Sequence, residues 1–204
     1  SFLPNGNCVI LPNINGRGYG FFKITEGESS GLWSVLRLSE DEVLKGSLLI
    51  TLYENLRWKT ISPQGFRDEM LAYLPNESNS LLFSMALSYL GDCQRIFPSD
   101  SRPLEQVLWK IVTTNPVSQH RLQAFRLYRS IADSEEAVQR LYTLWQERKA
   151  PKDCALSESD YIGLSYILAI HLPEKADKII ATQLSRIQNP DRKKEYQFIS
   201  PSVS

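Results

Sequence analysis

The sequence is poor in the side chains that most often carry catalysis. It holds two histidines, His120 and His171, and three cysteines, Cys8, Cys93 and Cys154, all far apart. A zinc peptidase needs two histidines one helical turn apart with a glutamate nearby, as in H-E-x-x-H, and neither histidine has a glutamate beside it. His171 is followed by Glu174, but Pro173 stands between them and ends the helix, so a solvated helix end is the plain reading. The cysteines form no C-x-x-C pair of the kind that holds structural metals. They read as free, mostly buried thiols. No G-x-S-x-G elbow offers a strained serine nucleophile. Cys93 or Cys154 could in principle partner a histidine, without any local signature for it.

Charge of one sign is also missing. Lysine plus arginine and aspartate plus glutamate number 23 each, for a formal net charge of zero. A protein that grips nucleic-acid phosphates works by counterion release and needs a basic surplus, so no nucleic-acid partner is expected. Long apolar runs are absent too. The longest candidate, Leu81 to Leu87, is far short of a membrane span. No signal peptide opens the chain. It begins at Ser1 rather than methionine, and it is expected to be an excised segment, which leaves the compartment open.

What is present suits a core of useful size: 42% hydrophobic and 23% charged residues in 204, close to an ordinary globular composition. The first two dozen residues differ from the rest. Asn7 to Pro12 is a short apolar run, Tyr19 to Thr25 is a second, and Pro12, Asn13, Asn15 and Gly16 lie between them. Two strands joined by a turn are predicted there. The glycine-rich stretch Gly16-Arg17-Gly18-Tyr19-Gly20 is not a P-loop, since it lacks the lysine and hydroxyl. Nor is it a dinucleotide fingerprint, which opens a helix; this stretch opens a strand. Its glycines read as turn residues.

After a polar break at Glu26 to Gly31 the period changes. Ser39 before Glu40, Asp41 and Glu42 reads as an N-cap with acids against the helix dipole. Leu44, Leu48, Leu52 and Leu56, widened by Leu49 and Tyr53, make an amphipathic helix of about five turns. Pro63 sits at the favoured first position of the next helix. A helix through Leu81–Leu90 is expected to stop at Gly91. Further starts are read at Arg102-Pro103, Asn115-Pro116, Asp133-Ser134, Ser157, Pro173-Glu174 and Asn189-Pro190. Roughly seven or more helices with short connections imply antiparallel neighbours. The fold class is therefore mainly α: an irregular HEAT- or armadillo-like α-α superhelix preceded by a short β-hairpin. No clean sequence repeat accompanies it, and the C-terminal segment, Phe198 to Ser204, has the look of a cut rather than a polar cap.

Two kinds of charge cluster remain. The acids at Glu40–Glu42 and Glu135-Glu136 stand at helix starts, where the dipole accounts for them. Arg121, Arg126 and Arg129, with Arg140 and Arg148 beyond, form a basic stretch. It is either a solvated helix face or a place where guanidinium forks take a carboxylate.

Both ends of the chain carry a family resemblance. "PNINGRGYGFFKI", residues 12–24, resembles the segment that closes the small β-sandwich domain in the aminopeptidase N family of zinc metallopeptidases. "LSEDEVLKGSLLITLYENLRWKTIS", residues 38–62, is similar to the first long helix of that family's α-helical C-terminal domain. "NPDRKKEYQFISPSVS", residues 189–204, is similar to a helix-turn segment deeper in the same domain. Many relatives read glycine-tyrosine-tyrosine-arginine where this chain has Tyr19-Gly20-Phe21-Phe22.

The resemblance implies residues 1–26 as terminal strands of a β-sandwich and residues 27–204 as an α-helical C-terminal domain, truncated at its end. It implies a non-catalytic role: enclosing the substrate cavity of a zinc aminopeptidase and helping to select peptides. The partners would be the protein's own catalytic domain and peptide substrates; no membrane partner is expected, since no apolar run in the sequence is long enough to span one. The zinc would sit in that catalytic domain, since its ligands, the glycine-rich exopeptidase motif and the catalytic tyrosine all lie upstream in the family. No catalytic or metal-binding residue is carried over to this chain. Arg121, Arg126 and Arg129 would be contacts for a peptide carboxylate. The alternative from the residues alone is a stand-alone helical-repeat scaffold that binds a protein or peptide in its groove.

Overall fold

A computed structural model of the chain describes Leu11 and residues 20–203. Most of the expected hairpin, including the glycine-rich turn and Cys8, lies outside the described residues. The part that is described, residues 20–25, is non-helical chain, and there is no strand among the described residues. Gly20 enters it at φ +145°, a backbone conformation that suits glycine and few other residues. The fold is mainly α, in two compact units that divide between Ser99 and Asp100.

Unit 1 contains α1 (Glu26–Leu38), α2 (Glu42–Arg57), α3 (Pro63–Tyr73), a single 3-10 turn and α4 (Ser80–Ile96). Helix α2 packs against α1, α3 and α4. Leu48, Leu52 and Leu56 of the expected stripe are fully buried there, beside Leu32, Phe66, Met70 and Phe83. Unit 2 contains α5 (Arg102–Thr114), α6 (Ser118–Ile131), α7 (Glu135–Glu147), α8 (Glu158–His171), α9 (Ala176–Arg186) and α10 (Pro190–Ile199). Helix α5 pairs with α6, α8 packs against α6, α7 and α9, and α10 touches α9. Its core holds Leu108, Phe125, Tyr128, Leu141, Leu164 and Tyr196.

Several local expectations change. The polar break at Glu26–Gly31 is the first part of α1. Thr25 and Glu28 form a capping box there, each side chain bonding the other's backbone N–H. That reciprocal pairing satisfies two of the orphan donors of a helix start and outweighs two glycines of low helix propensity. The N-cap of α2 is Asp41 rather than Ser39: its carboxylate accepts from the Val43 and Leu44 amides, while Ser39 ends α1. Helix α4 runs through Gly91 to Ile96, because Leu90 and Cys93 continue its buried stripe. Asn115 and Pro116 do not open α6. Asn115 ends α5, its side chain accepts from the Val117 amide at 2.9 Å, and α6 starts at Ser118. Pro173 opens a 3-10 turn, and α9 follows from Ala176. The starts at Ser62-Pro63, Ser134 and Ser157 stand where the sequence places them.

Candidate functional site

The three arginines singled out in the sequence are set by α6 and point into the joints of unit 2. Arg126 and Arg129 are one turn apart on α6, and α8 brings Asp160 to both. Arg126 donates from Nε and Nη2 to the two Asp160 carboxylate oxygens at 2.9 and 3.3 Å, the two-pronged geometry that makes guanidinium–carboxylate pairs strong. Arg129 donates to the Asp160 backbone oxygen at 3.0 Å and stands 3.9 Å from its carboxylate. Its guanidinium lies flat on α8 at Gly163, where an added Cβ would come within 2.5 Å of Nη1.

Asp160 has a second duty. It is the third residue of α8, and it accepts from the Ser157 amide and hydroxyl at 3.0 and 2.7 Å, completing a capping box. Burial pushes the Asp160 carboxyl up, but the bonds from Arg126 and Ser157 outweigh it and hold the group below its ordinary value. Burial draws the Arg129 guanidinium down, against the pull of Asp160.

Arg121 works elsewhere. It donates to the Asn115 backbone oxygen, to the Lys152 oxygen at 2.8 Å and to Asp153 at 3.3 Å, so it ties the α5–α6 turn to the 151–154 loop. Arg126 and Arg129 thus meet on one carboxylate, and Arg121 is apart from them. All three have carboxylate partners inside unit 2. Arg126 alone keeps about half its side chain exposed, at 51%.

Most of the other chemistry-bearing groups are enclosed, with His171 only half-buried. His120 is fully buried within α6, and His171 lies in the last turn of α8. Cys93 and Cys154 are buried free thiols. Burial pushes Cys154 to about 11 and raises Cys93 as well, so neither is a thiolate at neutral pH. Among the described residues no three His, Cys, Asp or Glu side chains come together to hold a metal. No helix among them is long and apolar enough to cross a membrane.

Two features of unit 1 escaped the sequence. One is a clasp on the incoming chain. Asn55, fully buried on α2, accepts from the Ile24 amide at 2.9 Å and donates to the Phe22 oxygen at 2.8 Å. It thereby offers residues 22–24 the donor and acceptor that a neighbouring strand would supply. Its Oδ1 also accepts from the Thr60 hydroxyl, and its Nδ2 also donates to the Thr51 oxygen. The other feature is an apolar groove of about 650 Å³ between Gly20–Phe22, α2 and the start of α4. A lone asparagine inside a leucine stripe gives no warning of the first. The second had a signal: Val43 and Ile50 are a full two turns apart on the flank of α2 away from its leucines.

Comparison with protein-family models, with curated proteins and with solved structures gives no match for this chain.

Proposed function

We propose that this chain is the non-catalytic C-terminal part of an aminopeptidase N-like zinc metallopeptidase. Its helices would form an irregular HEAT- or armadillo-like array that encloses the substrate cavity and helps select peptides for N-terminal trimming. The observation that carries the reading is the Asn55 clasp. The residues it grips, Phe22 and Ile24, belong to the segment that resembles the closing strand of the family's β-sandwich. A buried amide that pairs with both an N–H and a C=O of that segment suits a helical domain built onto a preceding one. Buried polar groups are costly unless partnered, so the clasp implies a fixed junction. In this reading zinc belongs to the parent's catalytic domain, and the peptide-carboxylate role of Arg121, Arg126 and Arg129 falls chiefly to Arg126, whose guanidinium is half exposed.

The test begins with the reading frame upstream of Ser1 and continues with kinetics. An H-E-x-x-H in frame is expected. The full-length protein should release N-terminal residues from peptides in a chelator-sensitive way, and the 204-residue chain alone should not. Removing residues 27–204 from the parent should relax its discrimination between short and long peptides. Chelator-sensitive hydrolysis by the isolated chain, or a frame without the zinc motif, overturns the proposal. The second reading, a scaffold that binds a peptide, is favoured by the exposed apolar groove of unit 1.

A further inference from the structure

The groove in unit 1 is apolar where a surface should be polar. Val43 and Leu81 are 73% and 75% exposed, and Ile50 and Phe21 are 49% and 43% exposed, all on its walls. Isolated exposed apolar residues need no explanation, but a contiguous cluster lining a concavity marks a contact surface. Gly46 helps to open it. With no side chain there, α2 presents bare backbone across from Leu82, whose methyl is 3.7 Å from where a Cβ would be. The volume falls within the roughly 300–1,000 Å³ range of pockets that take ligands.

The charges on the rim say what fits. The ionisable side chains that line the groove are Glu42 and Glu54, both acids. Glu54 meets Arg57 at 3.9 Å, with both side chains substantially exposed, and such a pair is weak. Glu42 makes no ion pair among the described residues. The nearest lysine on the same helix, Lys45, is taken by Glu77 at 2.5 Å. The helix dipole accounts for an acid at Glu42, in the first turn of α2, but not for one three turns later. Twelve residues of helix separate the two carboxylates, about 18 Å along the axis.

We infer that this groove binds an apolar peptide segment flanked by cations. Its aliphatic or aromatic side chains fill the space between Val43, Ile50 and Leu81, and a lysine or arginine at each end meets Glu42 and Glu54. At about 3.4 Å per extended residue, the two cations stand about five residues apart. Gly20–Phe22 forms one wall, and the Asn55 clasp fixes it in place. The inference draws on the proposed function only for a supply of peptides. A groove that fails to bind leaves the parent's peptidase activity standing, and a parent without the zinc motif leaves the groove standing.

The experiment titrates the full chain into a dansyl-labelled peptide, Lys-Leu-Leu-Phe-Leu-Lys, and follows fluorescence anisotropy at two salt concentrations. Saturable binding that weakens with salt is expected. Replacing both terminal lysines of the peptide with glutamate should weaken it by about tenfold, because two attractions become repulsions. Ile50→Asp in the protein should weaken it by about tenfold or more through lost apolar contact, with an unchanged circular-dichroism melt to show that the fold survives. The double variant Glu42→Gln/Glu54→Gln should remove most of the salt dependence. Absence of saturable binding, equal binding of the glutamate peptide, or full binding by Ile50→Asp overturns the inference. So does sedimentation showing a dimer that Ile50→Asp dissolves and the peptide does not compete with, since the occupant would then be a second copy.

Discussion

In unit 2 the buried carboxylates sit at helix starts and gather cations and amides around them. Asp160 holds the beginning of α8 together with Arg126 and Arg129. Glu105 accepts from the Asp133 and Ser134 amides at the start of α7, and from the Ser101 and Ser134 hydroxyls. Among its described residues unit 1 has one comparable group, Glu77, held by Lys45, Tyr73 and the Asn79 amide. It relies also on a neutral amide, Asn55, and leaves a row of apolar side chains open to solvent. The contrast separates two uses of polarity. Unit 2 closes its own joints with charge, and the hollow beside Glu105 is lined largely by polar and charged side chains such as Asp100, Arg102, Asp133 and Arg140. Unit 1 uses an uncharged side chain to hold the segment leading into it, and its apolar surface is offered outward. A unit organised like the first suits contact with something else, and one organised like the second suits self-sufficiency.

Acid should break the comparison most strongly. Burial pushes Glu105, Asp160 and Glu77 up, yet their hydrogen bonds outweigh it and hold all three below their ordinary values. A carboxyl with a depressed folded pKa contributes stability that is fully present above its unfolded value, near pH 4 to 4.5. That stability is lost as pH falls through the lower folded value. Unit 2 has two such buried groups and unit 1 has one, so unit 2 should lose protection first on acidification. Hydrogen exchange resolved by peptide between pH 6 and pH 3 reads this directly. Equal loss in both units would erase the distinction.

Removing the hub of unit 2 comes next. Asp160→Ala leaves the half-exposed Arg126 and the partly buried Arg129 without a carboxylate and strips α8 of its capping box. Losing charge-assisted hydrogen bonds to a buried carboxylate costs about 1.5–3 kcal/mol, and urea unfolding should show a loss toward the upper end of that range. Asp160→Asn keeps a cap for α8 and should lose less. If the two variants lose the same amount, the arginine pair rather than the cap carries the cost.

In unit 1 the matching change is Asn55→Ala. It leaves the buried Ile24 amide without its acceptor and the Phe22 oxygen without its donor. Unsatisfied buried groups cost roughly 1–3 kcal/mol, so a loss of about 2 kcal/mol is expected. Exchange at the Ile24 amide should quicken more than exchange within α2. A uniform rise across unit 1 instead would mean that Asn55 serves α2 rather than the incoming chain.

The helices were largely legible because leucine spacing and Ser, Asn and Pro start signals act locally. Ser62-Pro63, Ser134 and Ser157 needed no tertiary information. Helix α1 was hidden because serines and glycines have low propensity, and only the Thr25–Glu28 reciprocity rescues it. The arginine stretch on α6 was visible as charge, but its partner Asp160 lies more than thirty residues away. Sequence alone therefore could not tell a solvated face from a closed joint. Asn55 was invisible for the same reason: its partners lie across the fold. The groove was half visible, since α2 carries apolar residues on both flanks, and that pattern marks a helix with more than one neighbour.

The smallest expected effect on stability is the sharpest test of what the groove is for. Ile50 is about half exposed, at 49%, so Ile50→Ser removes little buried area and should change unfolding free energy by about 0.5 kcal/mol or less. Were Ile50 a core residue of unit 1, the loss would be several times larger, as for other buried aliphatics cut short. A variant that melts like the parent chain yet no longer binds the lysine-flanked peptide assigns this side chain to recognition. A variant that melts early would return the groove to the fold, and unit 1 would then be as self-contained as unit 2.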